Sequence, residues 1–187
     1  MTSIFFVRHA QPDQTWEDDR TKPLTPLGLS DRQAVTDVLS KFPIDAFVSS
    51  PYKRSYDTIA PCAEFFQMEI HTDERLRERK VGENSWDQRR RRWEDFDFCE
   101  EGGETLGSLQ PRNIEAVNEI LRSYKDKNVV VGTHGTALSA ILNYYDPSFG
   151  FEENMDLVFC MPYIIRLDFE GDEFLGKEEL LRLERGY

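Results

Sequence analysis

The sequence predicts an α/β protein, a three-layer α/β/α sandwich around a mostly parallel central sheet. Two observations carry that expectation. Short apolar runs alternate with longer spans of helical period, the pattern of a parallel sheet covered on both faces. Two of those runs end in histidine-bearing segments, Val7-Arg8-His9-Ala10 and Thr133-His134-Gly135. Ligands of open α/β sheets bind beyond the carboxyl ends of the strands, where both histidines would lie.

Taken in order, Ser3 to Val7 reads as a first, buried strand, followed by a polar loop from Gln11 to Lys22. Thr25 suits a helix N-cap and Pro26 the first helical position, so a helix is expected from there to about Lys41. Leu27, Ala34, Val35, Val38 and Leu39 share roughly one of its faces. Ile44 to Ser49 is a second strand. Ser50-Pro51 repeats the Thr-Pro device and predicts a helix to about Phe66, and Met68 to Thr72 is a short third strand.

Asp73 to Gly103 has no clean period, and reads as a loop with a short helix. Thr105 opens a long helix with Leu106, Leu109, Ile114, Val117, Ile120 and Leu121 inward. Val129 to Thr133 is a central strand and Thr136 to Tyr144 a helix behind it. Val158–Met161, Ile164–Phe169 and Glu179–Leu183 read as strands, with a turn at Gly171-Asp172 that adds an antiparallel edge. The expected organisation is one domain over 1–187, with an insertion at 79–103 near the site.

Composition narrows the function. The chain has 187 residues, 39% hydrophobic and 31% charged, with a net charge of −12. That acidity argues against nucleic acid, whose binding rests on neutralising phosphates with Lys and Arg, and against anionic membranes. No apolar stretch approaches the roughly 20 residues that span a bilayer. Cys62, Cys99 and Cys160 are far apart, odd in number and without metal-ligand spacing, so reduced thiols and a cytoplasmic location are expected.

Four segments place a charged or imidazole group where a strand ends or a helix begins. Together they meet the needs of a phosphate monoester. Guanidinium forks suit the dianion's oxygens, and Arg8 and Arg54 supply two. A neutral imidazole can attack phosphorus in line, and His9 is the candidate. His134 can stabilise charge on the transferring group. A carboxyl must protonate the leaving oxygen and then deprotonate water; Glu78 is the candidate, with Glu74, Glu83 and Asp13 as alternatives nearby. No metal or cofactor is required. His71 has no such context and reads as exposed.

Val7-Arg8-His9-Ala10-Gln11 resembles the Arg-His-Gly motif of the histidine phosphatase superfamily, the phosphoglycerate mutase-like family. Pro23-Leu24-Thr25-Pro26-Leu27-Gly28 with Gln33-Ala34 is similar to its Leu-Thr-x-x-Gly…Gln-Ala helix start. Ser49-Ser50-Pro51-Tyr52-Lys53-Arg54 resembles its Ser-Pro-x-x-Arg segment, and Leu76-Arg77-Glu78 its acid/base segment. Gly102-Gly103-Glu104-Thr105 resembles its Gly-Gly-Glu-Ser helix start, and Val131-Gly132-Thr133-His134-Gly135 its second-histidine strand. Each match is weak alone; six in order are specific.

The resemblance implies His9 as phosphorylated nucleophile, Glu78 as proton donor, and Arg8, Arg54 and His134, with Gly135 beside it, around the phosphate. Two departures stand out. Ala10 replaces the usual glycine, so the backbone there must avoid conformations that only glycine adopts easily. Thr15 stands where many members carry an amide, leaving Gln11 and Thr15 as candidates for that phosphate contact.

The implied activity is metal-independent hydrolysis of phosphate monoesters through phosphohistidine. The substrate is a phosphorylated small molecule, with a phosphoprotein as the alternative. Mutase-type transfer and a non-catalytic phospho-ligand binding module are the competing readings. The short span between Glu78 and Thr105 favours a phosphatase over a mutase, which must exclude water.

Other features read as structural. Arg89 to Arg92 reads as a solvated helix face, with a basic rim beside the pocket as the alternative. Trp86 and Trp93 are expected to pack against the domain. Asp18-Asp19 and Glu152-Glu153 are expected to be solvated.

Overall fold

A computed structural model describes residues 1–82 and 85–185. One six-stranded sheet runs β3(Ile70–Thr72), β2(Ala46–Ser49), β4(Asn128–Thr133), β1(Thr2–Arg8), β5(Cys160–Glu170), β6(Glu173–Glu184). β1 pairs parallel with β4, and β2 parallel with both β4 and β3. β5 is antiparallel to β1 and to β6. The expected sandwich is therefore present, with its antiparallel edge.

Period-two alternation in β1 builds both cores. Ile4 and Phe6 face one side, against Ile114, Val117 and Ile120 of α4(Leu106–Ser123) and Leu138 and Ile141 of α5(Gly135–Tyr145). Phe5 and Val7 face the other, against Val35 and Leu39 of α1(Pro26–Leu39) and Ile59 and Ala63 of α2(Lys53–Phe65). Burial of each such side chain contributes about 1.5–3 kcal/mol. Strands buried on both faces read as unbroken apolar runs, which is why β1 and β4 were legible.

Thr25 caps α1, accepting from the Gly28 N–H at 3.0 Å. A Cβ on Gly28 would lie 2.3 Å from the Gln11 carbonyl oxygen, so the helix start is pressed against the chain just past His9. Ala10 meets its constraint: among the described residues only Gln67 and Asp126 are non-glycines at positive φ.

Several boundaries differ from expectation. α2 begins at Lys53, with no side-chain cap from Tyr52; the Ser50 hydroxyl is bound elsewhere, so Ser50-Pro51 is not a helix start. Val158–Met161 and Ile164–Phe169 are not two strands. β5 runs from Cys160 through Pro162, beside a register shift between Cys160 and Tyr163, the bulge setting in which strands tolerate proline. Val158 instead follows α6(Phe151–Leu157), a helix the sequence did not announce. β6 starts at Glu173 rather than Glu179, because an edge strand with polar side chains has no apolar alternation to read. The 79–103 segment holds a helix, α3(Trp86–Glu94), fastened by a Ser85–Gln88 capping box.

No helix among the described residues is long and apolar enough to cross a membrane.

Candidate active site

The carboxyl ends of β1, β4 and β2 lie side by side, in register through Arg8–Thr133 and Ser49–Gly132. The His9 N–H donates to the Thr133 carbonyl at 3.2 Å and the Ser50 N–H to that of Gly132 at 2.9 Å. These bonds bring the two histidines together: their ring centroids lie 5.3 Å apart, edge to face at 61°. Above them opens a cavity of about 740 Å³, lined by Arg8, His9, Arg54, Glu78 and Gly135 among others.

His9 is buried, and its Nδ1 lies 2.8 Å from the Ala10 carbonyl oxygen. A carbonyl only accepts, so Nδ1 carries the proton and Nε2 keeps its lone pair. Burial, then the charges of Arg54 and Arg8, push the His9 pKa well below its ordinary value. The ring is therefore neutral at neutral pH, as an imidazole nucleophile must be.

His134 is fully buried, and its pKa is likewise lowered, by burial first and then by Arg54, His9 and Arg8. It is not among the residues at the cavity surface, but its ring lies edge-on against those of His9 and Tyr52, which are, with centroids 5.3 Å away in each case. Its Nε2 lies 2.7 Å from Ser50 Oγ. The same Oγ accepts from the Tyr52 N–H at 3.2 Å, which leaves it one lone pair and one proton to meet Nε2. His134 Nδ1 is a buried atom with no hydrogen-bond partner among the described residues.

Arg8 is held by its own fold. Its guanidinium donates to the carbonyls of Leu157, Val158 and Cys160, the carboxyl end of α6, where helix carbonyls lack partners and favour cations. A Cβ on Gly135 would lie 3.2 Å from that guanidinium, so the start of α5 passes close over its face. Arg54, also buried, donates to the Asp19 carbonyl at 2.6 Å and pairs with its carboxylate at 3.1 Å. Asp19 stays half exposed but also pairs with the buried Arg54, so Asp18-Asp19 is not simply solvated as expected. Lys22 lies 3.5 Å from the same carboxylate.

Glu78 lines the cavity with its carboxylate on the first turn of α5. It accepts from the N–H groups of Thr136 (3.1 Å), Ala137 (3.0 Å) and Arg79 (2.8 Å), the helix-terminus preference for negative charge. Its loop is pinned by Arg112, which donates to the carbonyls of Arg75, Arg77 and Glu78 and is gripped by Glu104 at 2.8 and 2.9 Å. Of the alternatives, Glu74 pairs with Arg20, Asp13 holds Thr15, and Glu83 lies outside the described residues.

Gln11 and Thr15 are not among the residues lining the cavity. The Thr25 hydroxyl donates to the Gln11 side-chain oxygen at 2.8 Å, and the Thr15 hydroxyl donates to Asp13 at 2.7 Å. Local capping claims both polar groups. Gln14 and Lys22, from the same loop, reach the cavity instead.

The arginine run is not one solvated face. Arg92 is buried against Glu100 at 2.9 Å, and Arg90 pairs with Glu152 at 3.1 Å. Trp93 packs on Phe96, but Trp86 is 62% exposed. Glu153 accepts from the Gly150 N–H at 2.8 Å at the start of α6. His71 is exposed, as expected. Among the described residues, no three His, Cys, Asp or Glu side chains group as metal ligands.

This strand-end pair of buried histidines between two arginines is the site plan of a protein class, and the chain belongs to it: the histidine phosphatase superfamily (branch 1), whose family model matches residues 4–175. It is 26% identical over 149 residues to a Bacillus subtilis protein named uncharacterized phosphatase PhoE, covering 76% of each chain. Its fold is similar to that of a mycobacterial glucosyl-3-phosphoglycerate phosphatase (TM-score 0.73, 23% identity, 88% of this chain and 89% of that one). It is also similar to Entamoeba histolytica phosphoserine phosphatase in complex with 3-phosphoglyceric acid (TM-score 0.77, 17% identity, 97% and 96%). The enzyme class expected from the sequence, a histidine phosphatase, is the one these relatives share.

Proposed function

We propose that this chain hydrolyses the phosphate monoester of a small molecule through a phosphohistidine at His9. The observation that carries this is the His9 imidazole, neutral and oriented by the Ala10 carbonyl so that Nε2 is free to attack. Nε2 bonds to phosphorus as the bond to the leaving oxygen breaks, and Glu78 gives that oxygen a proton. Water then attacks phosphorus, returns a proton to Glu78, and the N–P bond breaks to release phosphate. Arg8, Arg54 and the Nδ1–H of His134 take up charge on the phosphoryl oxygens. The dianion competes with Asp19 for Arg54, and with Glu78 for the α5 amides, which sends Glu78 toward the leaving oxygen.

The test is chemical. Rapid acid-free quenching during turnover of ³²P-labelled monoester, with EDTA present, is expected to trap a protein phosphate that is acid-labile and alkali-stable. An acid-stable adduct, or turnover abolished by EDTA, would refute the mechanism.

Ser50 acts as a positioning residue in this scheme. Ser50→Ala is expected to lower kcat about tenfold with little change in KM, less than the roughly hundredfold or more that outright loss of a transition-state donor costs, because the His134 ring itself remains. ¹⁵N shifts of the His134 ring report the cause: the variant should populate the Nε2-protonated tautomer, whereas a purely structural role would leave the tautomer unchanged.

A further inference from the structure

The Gly102-Gly103-Glu104-Thr105 motif takes no part in the chemistry at phosphorus, and neither does Arg112 of α4. Yet Glu104 and Arg112 form an ion pair at 2.8 Å with side chains only 10% and 13% exposed. Burial would raise the Glu104 pKa, but the hydrogen bond and charge of Arg112 prevail and hold it below its ordinary value. The pair is ionised where charge is costly unless it is well bonded.

It is well bonded. A guanidinium has five N–H donors, and Arg112 has an acceptor for each. Nε and Nη2 grip the two Glu104 oxygens at 2.8 and 2.9 Å. Nη1 donates to the carbonyls of Arg75 and Arg77 at 2.5 and 2.8 Å, and Nη2 also to that of Glu78 at 3.1 Å. The Arg77 carbonyl belongs to the peptide before the Glu78 Cα, and the Glu78 carbonyl to the peptide after it. Arg112 therefore holds both peptides that flank the acid/base residue. Regular structure does not, since Arg77 to Gly82 lie in neither helix nor strand. Glu104 extends the hold: it accepts from the Lys80 N–H at 3.2 Å and donates its own N–H to the Lys80 carbonyl at 2.9 Å.

We infer that Arg112, seated by Glu104, is the positioning residue of the acid/base carboxyl: it fixes the backbone pivot about which Glu78 swings between the α5 amides and the leaving oxygen. The inference rests on the reading of Glu78 as proton donor. To reach that oxygen, the carboxylate leaves the N–H groups of Thr136 and Ala137 that hold it here. Its place during proton transfer is then set from the backbone end. A displacement of about 1 Å can cost on the order of a hundredfold, the scale of general acid catalysis itself.

Leaving groups read the placement of the donor. The phenolate of phenyl phosphate is basic and leaves with a proton; that of dinitrophenyl phosphate leaves without one. The readout is kcat/KM, which ends at phosphoryl transfer and excludes the later hydrolysis that all substrates share. Full-length Arg112→Lys keeps a charge beside Glu104, but one ammonium cannot span three carbonyls and a carboxylate. It is expected to lose about a hundredfold on phenyl phosphate and only about threefold on dinitrophenyl phosphate. Glu104→Gln should show the same bias more weakly. In a Glu78→Gln background, Arg112→Lys should add no bias. Each comparison is a ratio of two substrates in one sample, so a smaller folded fraction cancels. Equal losses on both substrates, or none, would overturn this inference alone, as would a bias that persists in the Glu78→Gln background. Glu78→Gln that slows both substrates equally would overturn the proton-donor reading instead.

Discussion

His9→Ala is expected to lower kcat for p-nitrophenyl phosphate by at least about a thousandfold, the scale on which loss of a covalent nucleophile is felt. Affinity for inorganic phosphate should change far less. Arg8 is held by the carbonyls at the end of α6, and Arg54 by the 13–22 loop, neither through His9. Steady-state kinetics with phosphate as competitive inhibitor gives both numbers from one set of assays. Residual activity above about a tenth of wild type would place the nucleophile elsewhere, since loss of a covalent nucleophile costs far more than about tenfold. The split between kcat and phosphate binding is the informative part. A merely structural histidine would lose both together, because the pocket packed around its buried ring would lose its shape.

The residues that carry this chemistry were legible because they stand where regular structure stops. Buried strands announce themselves as apolar runs, and the first polar residues after them, Arg8-His9 and His134, fall at the ligand-binding edge of the sheet. Thr25 and Thr105 were legible as caps, since the hydroxyl does its work within three residues. Ser50 shows the limit of that logic. Its sequence context is that of a cap, yet its hydroxyl meets His134, 84 residues away. Asp19, Arg112 and α6 were illegible for the same reason. Each acts on a partner fixed by the fold: Arg54, the Glu78 loop and Arg8. The Gly102-Gly103-Glu104-Thr105 motif gains a physical meaning only with coordinates. Glu104 grips Arg112, and a Cβ on Gly103 would lie 2.7 Å from the Glu100 carboxylate.

Glu100 should dominate stability around the site. Its side chain is wholly buried, with Arg79 at 2.5 Å on one oxygen and Arg92 at 2.9 Å on the other, and the Gly82 N–H at 3.0 Å. Burial would raise its pKa, but the Arg79 hydrogen bond, the Gly82 N–H and the Arg79 charge prevail and hold it at about 2. Breaking a buried pair costs about 3–5 kcal/mol, because the partner charge stays buried without compensation. Here one carboxylate serves two guanidinium groups. Glu100→Gln is therefore expected to cost about that much in urea unfolding, and to lower Tm by roughly 10 °C for a chain of this size. The sign of the pH dependence follows from a carboxyl with an ordinary value of 4.5 lowered to about 2. Its contribution is complete above about 4.5 and is lost as pH falls toward 2, because the unfolded chain takes up the proton first. The gap between wild type and Glu100→Gln should therefore narrow over that window. A gap of less than about 1 kcal/mol at neutral pH would mean that the triad is solvated.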